Sequence, residues 1–221
     1  MRRFDFPAQR GAMVEEQLRG RGIHDERVLA AMGRVPREAF VFDPEDNKRA
    51  YDDMPILIGF GQTMSQPYMV ALIAEAAGVH EGHKVLDVGT GSGYAAAVLR
   101  ELGATVHTIE RVPELAKRAR DRLEAAGYGA VHVHVGDGSL GLPEEAPFDA
   151  IAVAAAAPEV PERLYEQLVP GGRLVVPVGT RRTQRLLVVV RSPEGPAVVR
   201  SVACRFVPLV GEGGYRRDRT A

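Results

Sequence analysis

Three acidic residues stand where a carboxylate can hold a ligand: Asp87, Glu110 and Asp137. Asp87 precedes a glycine-rich turn in "VLDVGTGSGYAAAV", whose glycines fall at 89, 91 and 93. That G-x-G-x-G spacing turns a chain tightly against a ligand. It differs from the G-x-G-x-x-G of pyrophosphate-binding loops, whose last glycine would fall at Tyr94. Glu110 closes the next apolar run, "TVHTIE". An acid about twenty residues after such a loop hydrogen-bonds ribose hydroxyls and disfavours a phosphate on the ribose. Asp137 sits in "GDG", Gly136 to Gly138. Three carboxylates around one pocket suit a cationic ligand and repel the two phosphates of a dinucleotide. S-adenosylmethionine, with its sulfonium and amino group, fits that requirement; its product is S-adenosylhomocysteine.

A second polar group lies upstream in "IGFGQTMSQPYMVALIAEAA", Ile58 to Ala77. Gly59 and Gly61 bracket Phe60, and Gln62, Thr63, Ser65 and Gln66 follow before Pro67. Two readings stand. A glycine-hinged lip can cover the donor and present Ser65 to an acceptor. Alternatively Ser65 only caps the helix that begins at Pro67.

These groups need elements to position them. Residues 8–33 have a helical apolar period, broken at "RGRGIHD", with Asp25 as an N-cap. "RVPREAFVFDPEDNKRAYDDMP" is irregular, and the lip and a helix from Pro67 to Ala77 follow. From Lys84 strands and helices alternate. "KVLDVG", "TVHTIE", "AVHVHVGDG" and "FDAIAVAAAA" read as strands. "GYAAAVLRELG", "PELAKRARDRLEAAGYG" and "PERLYEQLVPGG" read as helices. Such alternation calls for a parallel sheet covered on both faces. "GRLVVPVG", "RLLVVV" and "AVVRSVACRFVPLV" add three strands, the last two as antiparallel neighbours. The expected architecture is a single α/β methyltransferase domain over residues 1–221. A helical N-terminal region and lip occupy 1–80, a Rossmann-like core 81–210, and a loose tail 211–221.

Composition narrows the function classes. The chain has 221 residues, 45% hydrophobic, enough for one full core. Its formal net charge of −1 argues against a nucleic-acid partner. No apolar run reaches the length of a membrane span. The N-terminal "MRRFDFPAQRGAMVEEQL" is charged throughout, unlike a secretory signal. One cysteine, Cys204, excludes a disulfide framework and fits a reducing, cytoplasmic setting. Cys204 lies in an apolar strand and reads as a core thiol. His132 and His134 share one face of a strand, but no third ligand falls at a telling spacing, so no metal is expected. The basic "RRTQR", Arg181 to Arg185, joins two strands and reads as a solvated loop.

The chain resembles the protein-L-isoaspartate (D-aspartate) O-methyltransferases over nearly its whole length. "MVEEQLRGRGIHDERVLAAMGRVPREAFV" is similar to their N-terminal helices. "IGFGQTMSQPYMVA" resembles their signature I-G-x-G-Q-T-[IM]-S-x-P, which other methyltransferases lack. "VLDVGTGSGYAAAVL", "IERVPELAKRAR", "GDG" and "FVPLVG" follow in the family's order. The departures are mild: Met64 stands where isoleucine is common, and Ala154 where some relatives have threonine.

The resemblance implies a class I S-adenosylmethionine-dependent methyltransferase. Its expected substrate is the free α-carboxyl of L-isoaspartyl and D-aspartyl residues in damaged proteins. It implies that Ser65 stands beside the acceptor carboxylate, with Gln62 and Thr63 in the same lip over the donor. Asp87, Gly89, Thr90, Gly91 and Gly93 would hold the donor's methionine end. Glu110 would take the ribose with Arg111 beside it, and Asp137 and Gly138 would lie by the adenine. A monomer acting on peptides, without nucleic acid or membrane, is the expected state. The rivals are another carboxyl, small-molecule or RNA methyltransferase, and a non-catalytic S-adenosylmethionine-binding module. The first lacks support at "AAAAPEVP", where base methylation typically uses an N-P-P-aromatic turn. The intact "QTMS" argues against the second.

Overall fold

A computed structural model describes residues 4–216. Its centre is a seven-stranded sheet. The strands are β3 (Lys84–Val88), β4 (Thr105–Glu110), β5 (His132–Val135), β6 (Phe148–Val153), β7 (Leu168–Gly179), β8 (Gln184–Ser192) and β9 (Gly195–Cys204). A separate two-stranded hairpin, β1 (Ile56–Gly59) and β2 (Gln62–Met64), precedes them. The order across the large sheet is β5-β4-β3-β6-β7-β8-β9. The five strands from β5 to β7 pair in parallel, and β7–β8 and β8–β9 pair antiparallel.

Strand periodicity assigns each residue to a face. Val85, Val106, Ala150, Ala152 and Val175 belong to one apolar core. Leu86, Val88, Ile109, Ile151, Val153, Leu174 and Val176 belong to the other. A sheet buried on both sides needs such near-continuous apolar runs. The first core packs under α2 (Glu26–Arg34), α3 (Pro67–Ala77), α4 (Tyr94–Glu101) and α5 (Pro113–Ala125). The second packs under α6 (Glu162–Glu166) and the turns before β6.

The N-terminal segment follows its apolar period only in part. The first helix, α1 (Phe6–Ala12), runs into a π-helical turn, Met13–Leu18, that buries Met13, Val14 and Leu18. Asp25 caps α2 by accepting from Arg27 N at 2.9 Å.

The lip is a paired hairpin. Its register sets Ile56 opposite Met64, and Ile56 and Ile58 are buried while Leu57 and Phe60 face solvent. Two expectations, on the helix before β7 and on the tail, are corrected. The helix expected over "PERLYEQLVPGG" is only α6, because β7 already begins at Leu168 and Pro170 cannot extend a helix. The expected tail is anchored as far as it is described. Glu212 N and Gly213 N donate to Asp137 Oδ2 and Ser139 Oγ, and Tyr215 N donates to Leu209 O. Residues 217–221 of that tail lie outside the described residues. Among the described residues no helix is long and apolar enough to cross a membrane.

Candidate active site

β3 lies at the centre of the parallel strands, with β4 on one side and β6 on the other. Chain direction across the sheet switches there, and the carboxyl ends of such strands form a crevice. Gly89 to Gly93 turn out of β3 into α4 at this point. Gly89 and Gly91 have φ of +97° and +54°, a region that favours glycine. Ile58 of the hairpin comes down on Gly91: a Cβ there would meet Ile58 Cδ1 at 3.3 Å. The lip is thus packed onto the glycine loop, and the two line one pocket.

Gln62, Thr63, Ser65, Asp87, Gly89, Thr90, Gly91, Glu110, Arg111 and Gly138 all line that pocket. Two residues named from the sequence do not. Gly93, with φ +91°, is the N-cap of α4, and a Cβ there would lie 3.1 Å from Leu123 Cγ; it lets α4 and α5 approach. Asp137 turns inward. Its Oδ1 accepts from Ser139 N and Oγ, and its Oδ2 from Glu212 N, so it ties the turn after β5 to the C-terminal segment.

Asp87 and Glu110 differ sharply. Asp87 is buried, and one hydroxyl, Thr108 Oγ1, donates to its Oδ2 at 2.8 Å. Thr108 has a single hydrogen to give, so Thr90 Oγ1, 2.7 Å away, donates to Thr108. Burial pushes the Asp87 pKa up to about 7; the Thr108 bond opposes this and the Glu110 charge adds to it. A buried carboxylate short of donors is poised for a cationic ligand. Glu110 is already braced at a strand tip. Its Oε2 accepts from Gly91 N and its Oε1 from Val112 N, each at 3.0 Å. Each oxygen keeps a second lone pair. These features fit S-adenosylmethionine: a glycine cradle, a buried acceptor lacking a cation and a strand-tip carboxylate with lone pairs to spare.

Ser65 stands between β2 and α3. The N-cap of α3 is Gln66, and no side chain caps it, so the capping role for Ser65 is not found. Its carbonyl is held instead. Arg37 Nη2 donates to Ser65 O at 2.8 Å and Arg37 Nε to Ala50 O at 2.7 Å. The guanidinium is fully buried over the Tyr94 ring, 4.8 Å from its centroid. Sequence reading missed Arg37, because nothing local marks an arginine whose partners lie 13 and 28 residues on. It also missed Val207, Pro208 and Val210, which line the pocket. They are brought there when Ala156 N donates to Val207 O and Leu209 N donates to Ala156 O.

The remaining candidates lie elsewhere. Cys204 is half-buried, and burial pushes its thiol pKa up to about 11, which makes it a poor nucleophile. Thr180 Oγ1 accepts from Arg182 N and Thr183 N in the turn between β7 and β8.

Comparison with known proteins agrees with this geometry. The profile of the protein-L-isoaspartate(D-aspartate) O-methyltransferase family matches residues 8–214. A protein-L-isoaspartate O-methyltransferase of Gloeobacter violaceus is 53% identical over 201 residues, 90% of this chain and 98% of that one. A second, from Marinobacter nauticus, is 56% identical over 96% of this chain and 97% of its own. A solved protein-L-isoaspartate O-methyltransferase superposes with a TM-score of 0.84 at 29% identity, covering 93% of this chain and 67% of that one. A Plasmodium falciparum structure described as a beta-aspartate methyltransferase in complex with S-adenosyl-L-homocysteine gives 0.77 at 27% identity, covering 90% and 96%. The expected Rossmann-like methyltransferase fold is therefore the one found, and the chain belongs to the protein-L-isoaspartate(D-aspartate) O-methyltransferase family.

Proposed function

We propose that this chain transfers a methyl group from S-adenosylmethionine to the free α-carboxyl of L-isoaspartyl residues, and to the side-chain carboxyl of D-aspartyl residues, in damaged proteins, with Ser65 at the acceptor. The observation that carries the reading is the shared pocket. Ser65 and Gln62 of the lip line the same crevice as Asp87, Gly91 and Glu110.

S-adenosylmethionine, when bound, supplies a methyl group carried on a sulfonium. Asp87 would hold the donor's positive end. The spare lone pairs of Glu110 would accept from the ribose hydroxyls. The lip would exclude water, which strengthens each of these contacts. Ser65 Oγ would donate to the acceptor carboxylate, a charge-assisted bond of about 1.5–3 kcal/mol. An α-carboxyl titrates near about 3.3–3.7, so it is already an anion at neutral pH. No base has to remove a proton, and among the described residues no histidine lines the pocket. Alignment is the main demand on the protein. The backbone amide nitrogen of the next residue then displaces methanol from the ester spontaneously to close a succinimide, which hydrolysis can reopen as normal aspartate. The chain is read as one methyltransferase unit working as a cytoplasmic monomer, without nucleic acid.

Incubation of an isoaspartyl peptide with methyl-labelled S-adenosylmethionine tests this. A base-labile methyl ester should form in step with S-adenosylhomocysteine. Label in a base-stable bond, or none on the peptide, would overturn the reading.

A further inference from the structure

Away from the donor pocket, three ligand-bearing side chains meet at the edge of the sheet. His107 comes from β4, His134 from the edge strand β5, and Glu145 from a short 3-10 turn, Pro143–Glu145. One possible ligand atom from each lies within 4.8 Å of the others. His107 Nδ1 faces His134 Nε2 at 3.2 Å, and His107 Nε2 lies 3.8 Å from Glu145 Oε2. The His132 ring stacks on His107, with centroids 4.8 Å apart. The pair expected along β5, His132 and His134, is thus not the one that forms the cluster: His134 meets His107 of the neighbouring strand and Glu145 of a turn eleven residues past it.

We propose that His107, His134 and Glu145 form a binding site for a divalent transition-metal ion of the Zn²⁺ class. Distance and ligand chemistry carry the proposal. Zinc binds imidazole nitrogen at about 2.0–2.1 Å, so two imidazoles on one tetrahedral ion hold their nitrogens about 3.3 Å apart. The observed 3.2 Å between His107 Nδ1 and His134 Nε2 meets that without moving either strand, and Glu145, which stands on the Nε2 side of the His107 ring, would turn its carboxylate toward them to give the third ligand. Two imidazoles and a carboxylate suit zinc, cobalt or nickel; calcium and magnesium prefer all-oxygen sets. Lys84 Nζ, 3.6 Å from Glu145 Oε2, is the cation that the ion would displace. The ion would clamp both ends of the segment between His134 and Glu145. That segment carries Gly138, which lines the donor pocket.

The test is calorimetric titration of the metal-stripped full chain with Zn²⁺, paired with thermal unfolding. Saturable binding of a single ion and a raised unfolding midpoint are expected. His134→Ala and Glu145→Gln should each weaken binding by more than about tenfold, since even outer-shell partners of a metal ligand cost about 10–100-fold. The double variant His80→Ala/His83→Ala should bind as the parent does. It removes the other neighbouring histidine pair, whose rings are 5.1 Å apart. His134 and Glu145 are partly exposed, so both variants should fold. A readout that needs no variant is the ligand-field spectrum of Co²⁺-loaded parent, which should report four-coordinate nitrogen and oxygen ligands. A parent that binds no ion saturably would overturn the proposal. So would unaltered affinity in His134→Ala, which would leave the 3.2 Å contact as an N–H···N hydrogen bond, or loss of binding in the His80/His83 variant.

Discussion

Arg37 Nη2 donates to the carbonyl of Ser65 at 2.8 Å, from a guanidinium that is wholly buried. The residue placed at the acceptor is thus fixed by its backbone, while its hydroxyl is free of any capping duty. The same guanidinium reaches Ala50 O, so one side chain ties the segment before the hairpin to the segment after it.

Arg37→Lys should expose that link. An ammonium cannot reproduce the two-pronged geometry of a guanidinium. Leaving one buried carbonyl unpaired costs about 1–3 kcal/mol. Thermal unfolding should shift by that amount, and single-turnover methyl transfer per folded molecule should fall at unchanged donor affinity. Transfer at the parental rate would reduce Arg37 to a stability element.

Ser65→Ala separates hydroxyl from backbone. Turnover should drop by about tenfold to a hundredfold, the equivalent of a bond worth about 1.5–3 kcal/mol. Stability and donor affinity should stay near those of the parent, because Gln66 is the N-cap and no side chain serves it. A loss of about 1 kcal/mol in stability with turnover intact is the signature of a lost cap, and would contradict the geometry.

Glu110→Ala should weaken S-adenosylmethionine binding by about 1–3 kcal/mol in calorimetry. Glu110→Gln should do no better, although it has the same shape. Both oxygens of Glu110 face backbone N–H donors, on Gly91 and Val112. A glutamine amide must point its own N–H₂ at one of them. Unchanged affinity in both variants would remove Glu110 from the donor site.

Asp87 should make donor affinity depend on pH. Its pKa of about 7 in the folded chain lies above the usual value of about 3.9. A carboxyl shifted in this direction stabilises the folded chain most at low pH. That contribution is lost as pH rises from about 4 through about 7. A cationic ligand needs the ionised form, so binding should expel a proton below pH 7. Affinity should rise about fivefold between pH 6 and pH 7, as the ionised fraction grows from about a tenth to a half. Calorimetry in buffers of different ionisation enthalpy measures the proton. Asp87→Asn should abolish the dependence. Transfer at saturating donor should remain nearly flat over the same range, since the acceptor ionises near about 3.3–3.7.

The legible part of this fold is local. The strand–helix alternation after Lys84 follows from apolar runs broken by glycine and proline, and the loop after β3 from three glycines in five residues. Asp25 and Pro67 mark helix starts by their own chemistry. What stayed hidden is set by distant pairing. The hairpin depends on Ile56 meeting Met64. The C-terminal wall of the pocket depends on Ala156 binding both Val207 and Leu209. Asp137 looked like a ligand because it lies at a strand end, but only the fold reveals that Ser139 and Glu212 engage both of its oxygens. The same holds for the histidines: spacing along β5 pairs His132 with His134, and only the sheet adds His107.

Carboxyl repair is tested most directly by a matched pair of peptides, identical except that one carries isoaspartate and the other aspartate. In isoaspartate the free α-carboxyl sits on a short arm while the chain continues through the side chain. In aspartate the carboxylate lies one methylene further out, and misplacing a nucleophile by about 1 Å costs on the order of a hundredfold. Methyl transfer from labelled S-adenosylmethionine should therefore favour the isoaspartyl peptide by at least about a hundredfold in kcat/KM. Equal methylation of the two would contradict repair specificity and leave a general carboxyl methyltransferase.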